Sequence, residues 1–270
     1  MRESVSVIGC DRNWARDLLN RFTEVCRECV GENLTGVYLH GSAAMGCFQQ
    51  EISDLDLLVI VNADVPDSVK ADFMEHVICL NEEGPGKGME LSMVKREFCR
   101  PFVYPTPFEL HFSEAHLEWY KRNPQEYVEK MRGTDRDLAA HFMITRRYGI
   151  CLWGAGIEDV FGEVPAEAYR DSILYDVENA REDILINPLY VTLNLCRVLG
   201  YLREGLVLSK KSGGEWGLEH LPEAFHVLLQ KALQCYASGE KISADTEKTV
   251  QFADYMTTEI HKMVTVQTGH

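Results

Sequence analysis

Leu34-Thr35-Gly36-Val37-Tyr38-Leu39-His40-Gly41-Ser42, a spacer of eleven residues, then Asp54-Leu55-Asp56-Leu57-Leu58-Val59-Ile60-Val61: these two stretches decide how the chain is built. Both apolar runs are rich in β-prone residues and too short for a helix, so each reads as a buried strand. Successive side chains on a strand point to opposite faces. Asp54 and Asp56 therefore stand side by side on one face, with Leu55 and Leu57 on the other. Two carboxylates that close repel, and burying them beside Leu-Leu-Val-Ile-Val is costly without a cation between them. Hard oxygen ligands of this kind suit Mg²⁺. Gly41-Ser42 sits where the first strand ends and a short helix begins. Glycine lets a backbone approach a phosphate closely, free N–H groups at a helix start favour anions, and the Ser42 hydroxyl adds a donor.

Outward from this centre, Met89-Glu90-Leu91-Ser92-Met93-Val94 reads as a third strand. If it lies beside 55–61, Glu90 completes a three-carboxylate cluster. Phe108-Glu109-Leu110-His111-Phe112 reads as a further short strand, after an irregular stretch holding Pro101, Pro105 and Pro107. Upstream, Trp14, Leu18, Phe22, Val25, Cys26 and Cys29 have helical spacing, with Asp11 as N-cap and Gly31 as the stop. Residues 67–80 read as a helix, and 84–88 as a turn. Beyond 112 the β signal disappears, and helices are expected at 114–132, 135–149, 166–186, 189–204, 222–237 and 245–265. Turns are expected at Gly133, Gly154–Gly156, Asn187-Pro188, Gly213-Gly214 and Ser238-Gly239. The fold class is α+β, with a mixed-sheet domain over 1–160 and an all-helical domain over 161–270. The interface between two such domains is the default place for a ligand.

Composition narrows the partners. The 270 residues are 46% hydrophobic and 26% charged, an ordinary balance for a globular chain. A net charge of −15 argues against a nucleic-acid partner, which needs a basic face, and suits a small cationic substrate. No apolar run approaches the roughly 18 residues that a bilayer span needs, and the first residues lack a signal peptide's apolar region. A cytoplasmic monomer is expected. The 9 cysteines then read as buried small hydrophobes. Cys26 and Cys29 form a C-x-x-C with no second pair and no histidine nearby, so zinc is not expected there.

The glycine-serine turn, the Asp-x-Asp strand and the third-strand glutamate together resemble the DNA polymerase β-like nucleotidyltransferase superfamily. More closely, the chain is similar to the aminoglycoside (3'')(9) adenylyltransferases, which modify streptomycin and spectinomycin. The resemblance runs from about residue 30 to 260. It rests on 36–46, 53–61 and 89–94, on Tyr104-Pro105 with Phe108-Glu109-Leu110, and on Asp137-Leu138-Ala139. In the second half it continues through Thr192-Leu193, Arg197, Ser209-Lys210, Trp216, Leu221-Pro222 and Tyr236. It implies a two-domain enzyme that transfers AMP from ATP to a drug hydroxyl with the help of two Mg²⁺ ions, giving antibiotic resistance. By the same resemblance Gly41, Ser42, Ser53, Asp54 and Asp56 form the phosphate and metal site. Glu90 is the general base and the third metal-site carboxylate, and Asp137, Lys210 and Tyr236 contact the nucleotide.

Two departures bear on the acceptor. Ser113-Glu114-Ala115 stands where the family has Gly-Glu-Trp, and that tryptophan helps hold streptomycin. Ile186-Asn187-Pro188 replaces an acidic run, with Glu182 and Asp183 just upstream. Glu114, Trp119, Glu182, Asp183 and Asn187 are the candidate drug contacts. Trp119 lies one helical turn from Ala115 and is a candidate substitute for the missing ring. Two other readings remain open: a nucleotidyltransferase with a different acceptor, and a nucleotide-binding regulatory or antitoxin-like module without turnover.

Overall fold

The computed structural model describes residues 12–242 and 246–268, so the expected N-cap Asp11 lies outside the described residues. The chain forms two compact units, Met1–Tyr169 and Arg170–His270. In the first unit α1 (Arg12–Val30) leads into β1 (Leu34–Leu39), α2 (Gly41–Ala44), β2 (Leu55–Val61), α3 (Asp67–Glu82) and β3 (Met89–Lys95). There follow α4 (Arg96–Cys99), β4 (Thr106–Phe108), β5 (Leu110–Phe112), α5 (Leu117–Arg122) and α6 (Pro124–Lys130). The unit continues through β6 (Gly133–Asp135), α7 (Leu138–Tyr148), β7 (Ile150–Gly154) and α8 (Ile157–Val160). The division between units falls inside α9 (Ala166–Tyr175).

The main sheet has the order β5-β3-β2-β1-β7. β2 and β3 run parallel, joined by the crossover helix α3, and the other pairs are antiparallel. The alternation expected for 55–61 is realised. Val37, Leu39, Leu55, Leu57, Val59, Leu91 and Met93 share one apolar cluster with Leu18 and Phe22 of α1, Phe73 and Val77 of α3, and Tyr127 of α6. That helical layer covers one face of the sheet and leaves Asp56, Glu90 and Ser92 on the other. There Tyr38 is fully buried, its ring edge-on to Phe161 at 5.0 Å and its hydroxyl donating to the Ala155 carbonyl at 2.8 Å.

Local details depart from expectation for identifiable reasons. The single strand over 108–112 is two: Thr106–Phe108 pairs with β6, and Leu110–Phe112 pairs with β3. Glu109 is the pivot, its N–H donating to the Met93 carbonyl at 2.8 Å and its carboxylate 3.4 Å from the buried Lys70 ammonium. The helix expected over 114–132 breaks at Asn123-Pro124. Proline has no N–H for an interior helix position, and Asn123 caps the new helix by accepting the Glu126 N–H at 3.2 Å. The strands β6 and β7 are additions. Gly133, expected as a turn, opens β6, and β7 lies at the sheet edge with none of its residues fully buried, so it carries neither a buried apolar run nor an alternation.

The second unit is helical: α10 (Ala180–Ile186), α11 (Pro188–Glu204), α12 (Lys210–His220), α13 (His226–Ser238) and α14 (Thr246–Thr268) follow the end of α9. The helix expected over 166–186 is interrupted at 176–179. The turn expected at Gly213-Gly214 is instead the interior of α12. A Cβ on Gly214 would lie 2.7 Å from the side chains of both Leu193 and Leu233, so glycine serves helix contact there and not chain reversal. No helix among the described residues is long and apolar enough to cross a membrane.

Candidate active site

The parallel register of β2 and β3 sets Asp56 directly beside Glu90. Asp54 immediately precedes β2, where the Leu55 N–H donates to the Gly88 carbonyl at 3.1 Å and ties the strand start to the turn before β3. The result is a triangle of carboxylates, each half-buried, with one oxygen of Asp54, Asp56 and Glu90 all within 4.8 Å of one another. The predicted three-carboxylate cluster is therefore assembled.

The glycine-serine turn closes on this triangle. The His40 N–H donates to the Asp56 carbonyl at 2.9 Å, fixing the end of β1 to the acidic strand. Gly41 has φ +59°, and a Cβ there would fall 1.7 Å from Asp56 Oδ2. Only glycine permits that backbone angle and that approach. The Ser42 Oγ is buried without a hydrogen-bond partner among the described residues. An unsatisfied buried hydroxyl is costly, and a phosphate oxygen beside it would restore the missing bond. An all-oxygen triad beside a phosphate cradle matches the donor preference of Mg²⁺, so these residues fit the expected ion and nucleotide.

Other expected contacts are placed as follows. Ser53 is buried and its Oγ accepts the Gln49 N–H at 3.1 Å, so the hydroxyl closes the loop before Asp54. Asp137 stands at the start of α7, one turn before His141, whose ring centroid lies 4.8 Å from that of His40. Burial, and then the nearness of His141, holds His40 well below the ordinary histidine range. On β3 the Ser92 Oγ lies 2.9 Å from His111 Nδ1. His111 is lowered to about 4, first by burial and then by His116. Burial thus favours the neutral form of both rings. Neither histidine was singled out from sequence, although His40 directly precedes the glycine-serine turn.

Of the expected drug contacts, Glu114 Oε2 accepts from Asn81 Nδ2 at 2.9 Å, next to the turn that delivers Glu90. Trp119 is half-buried. Its ring packs edge-on to Tyr127 at 5.0 Å and joins the helical layer, on the sheet face away from the carboxylates. Ala115 is exposed.

In the second unit Lys210 opens α12 with its Nζ 4.7 Å over the Tyr190 ring, and Tyr236 is buried on α13. Glu182 and Asp183 are exposed in the first turn of α10. Asn187 caps α11, accepting the Tyr190 N–H at 3.3 Å. Near them lies an acidic residue that sequence reasoning missed. Asp176 accepts from the Tyr190 hydroxyl at 2.9 Å and from the Asn194 amide, and Asn194 Oδ1 in turn accepts from Arg197 at 2.8 Å. Asp176 sits in what reads as a continuous helix, so periodicity gave no reason to choose it.

Known proteins resemble this chain in both halves. Residues 19–109 match a nucleotidyltransferase domain, and residues 159–259 match the aminoglycoside adenylyltransferase C-terminal domain. An aminoglycoside (3'') (9) adenylyltransferase from Klebsiella pneumoniae is 25% identical over 91% of this chain and 95% of its own. A spectinomycin 9-adenylyltransferase from Staphylococcus aureus is 25% identical over 79% of this chain and 82% of its own. The crystal structure of spectinomycin adenyltransferase AAD(9) from Enterococcus faecialis, with ATP and spectinomycin, superimposes with a TM-score of 0.79. It is 20% identical, covers 91% of this chain and 98% of that one, and shows a shared fold.

Proposed function

We infer that this chain, which belongs to the aminoglycoside adenylyltransferase family, transfers AMP from ATP to a hydroxyl of spectinomycin or streptomycin and so gives antibiotic resistance. The observation that carries the reading is the closure of the Gly41-Ser42 turn onto the Asp54–Asp56–Glu90 triangle. Asp54 and Asp56 are the proposed Mg²⁺ ligands, with Glu90 beside them. Mg²⁺, when bound, supplies positive charge for the oxygens that gain negative charge during displacement.

The remaining steps belong to the chain's own residues. Backbone at Gly41 and the Ser42 hydroxyl hold the phosphates, with Ser53 keeping the loop closed. Glu90 takes the proton from the acceptor hydroxyl, since an alcohol is a weak nucleophile at neutral pH. The acceptor oxygen attacks the α-phosphorus, the α–β phosphoanhydride bond breaks, and pyrophosphate leaves. Asp137, Lys210 and Tyr236 are assigned to the nucleotide, and Glu114, Trp119, Glu182, Asp183 and Asn187 to the drug. A base in reach of the cluster favours turnover over a binding-only module.

Acceptor choice turns on Ala115. A stacked aromatic buries about 150–250 Å² and contributes on the order of 1 kcal/mol beyond simple burial. Its absence costs streptomycin, which is large and flexible, more than compact, rigid spectinomycin. Pyrophosphate release with each drug tests this: spectinomycin is expected to give the higher kcat/KM, and Ala115→Trp to improve streptomycin selectively. No release with either drug would point to another acceptor.

A further inference from the structure

A second group of unlike ligands lies outside the acidic centre, where two helices of the covering layer run antiparallel. Their register is set at one end by Trp14 Nε1, which donates to the Glu83 carbonyl at 3.1 Å, and by Arg21, which grips the Glu83 carboxylate at 2.5 and 2.7 Å. In the middle Phe22 meets Phe73 edge-on at 6.1 Å. Continued to the other end of the pair, this register brings Cys29 of α1 to Asp72 of α3, with Sγ 3.4 Å from Oδ2. Asp72 and His76 are four residues apart on α3 and share a helix face. One ligand atom from each of Cys29, Asp72 and His76 lies within 4.8 Å of the others.

We propose that Cys29, Asp72 and His76 form a metal site for a thiophilic divalent cation, with Zn²⁺ as the natural occupant and a fourth position open to water. Sulfur, imidazole and carboxylate are the ligand types zinc takes in sites with one open position. Metal–ligand bonds of about 2.0–2.3 Å in a tetrahedron put neighbouring ligand atoms roughly 3.3–3.8 Å apart. The Cys29–Asp72 pair already has that separation, and exposed His76 needs only a small side-chain adjustment to join it. Mg²⁺ has no liking for such a set, which separates this seat chemically from the all-oxygen triangle. Metal binding forms the sulfur–metal bond and releases the thiol proton to solvent. Cys26, the other half of the C-x-x-C, is fully buried in the core and takes no part. The site would staple α1 to α3 at the end of the pair away from Arg21 and Glu83.

Co²⁺ titration of the full chain in excess Mg²⁺ tests the site without reference to AMP transfer. The expected result is a near-ultraviolet thiolate-to-cobalt charge-transfer band that saturates at one ion per chain and is displaced by Zn²⁺. Cys29→Ser should abolish it, and Asp72→Ala or His76→Ala should weaken binding at least about tenfold. Cys79→Ser, one turn beyond His76, should leave it unchanged. Zn²⁺ should also raise Tm of the wild type and not of Cys29→Ser, which keeps the test valid if a variant is itself less stable. Absence of the band, its survival in Cys29→Ser, or its loss in Cys79→Ser would overturn the proposal.

Discussion

At Gly41 a single hydrogen atom stands where any other residue would place carbon against Asp56. Gly41→Ala must strain the backbone, at roughly 1–2 kcal/mol, and push the carboxylate aside. AMP transfer is expected to fall about 100-fold or more while circular dichroism shows a folded chain with a modestly lower Tm. Asp54→Asn and Asp56→Asn should abolish pyrophosphate release with little loss of stability, since each also relieves like-charge repulsion. Near-normal turnover in either would remove the metal assignment. Glu90→Gln should cut kcat by roughly 10² and leave ATP affinity within a few-fold. His111 gives a pH signature. Its folded-state pKa of about 4 lies below the unfolded value, so the unfolded chain binds the extra proton as pH falls. The stability it contributes is complete above about pH 6.5 and is lost toward pH 4, with a slope on the order of 1 kcal/mol per pH unit. Urea titrations across that window should show a shallower fall in His111→Gln.

Among the elements, α12 is the one whose residues contradict its conformation when read alone. Glycine costs about 1 kcal/mol against alanine inside a helix, so alanine at an exposed site would stabilise. Here a Cβ at Gly213 would meet Arg197 Cγ at 2.7 Å, and one at Gly214 would meet Leu193 and Leu233. Those neighbours are packed side chains of α11 and α13. Gly214→Ala is therefore expected to destabilise by about 1–3 kcal/mol, the usual range for overpacking, as read from the urea midpoint. A neutral or stabilising result would mean that α11 and α13 yield easily. Ser209 and Ser212 hold the start of the same helix by reciprocal capping bonds. Ser209→Ala should cost about 1 kcal/mol.

For the whole molecule the governing quantity is a net charge of −15. A strongly acidic surface attracts a cationic drug over distances near the Debye length, about 10 Å at 0.1 M salt. With spectinomycin as acceptor, kcat/KM should decline as NaCl is raised from 0.05 to roughly 0.5 M, which shortens that length further. A flat salt profile would confine the attraction to short-range pairs in the site.

Strand alternation made Asp54 and Asp56 neighbours before any coordinates, because a two-residue period depends only on covalent geometry. The same local logic exposed the glycine at 41, the acidic third strand and the all-helical second half. Contacts between elements distant in sequence carry no such period. The register that sets Glu90 beside Asp56, the packing of Trp119 against Tyr127 and the packing that makes Gly213-Gly214 helical depend on which surfaces meet. Cys29 shows the limit most clearly. Its sequence neighbours offer no metal partner, yet antiparallel packing delivers Asp72 and His76 from more than forty residues away. Ligand sets of that kind are properties of helix pairing, and helix pairing follows from burial summed over whole faces, which no local window contains.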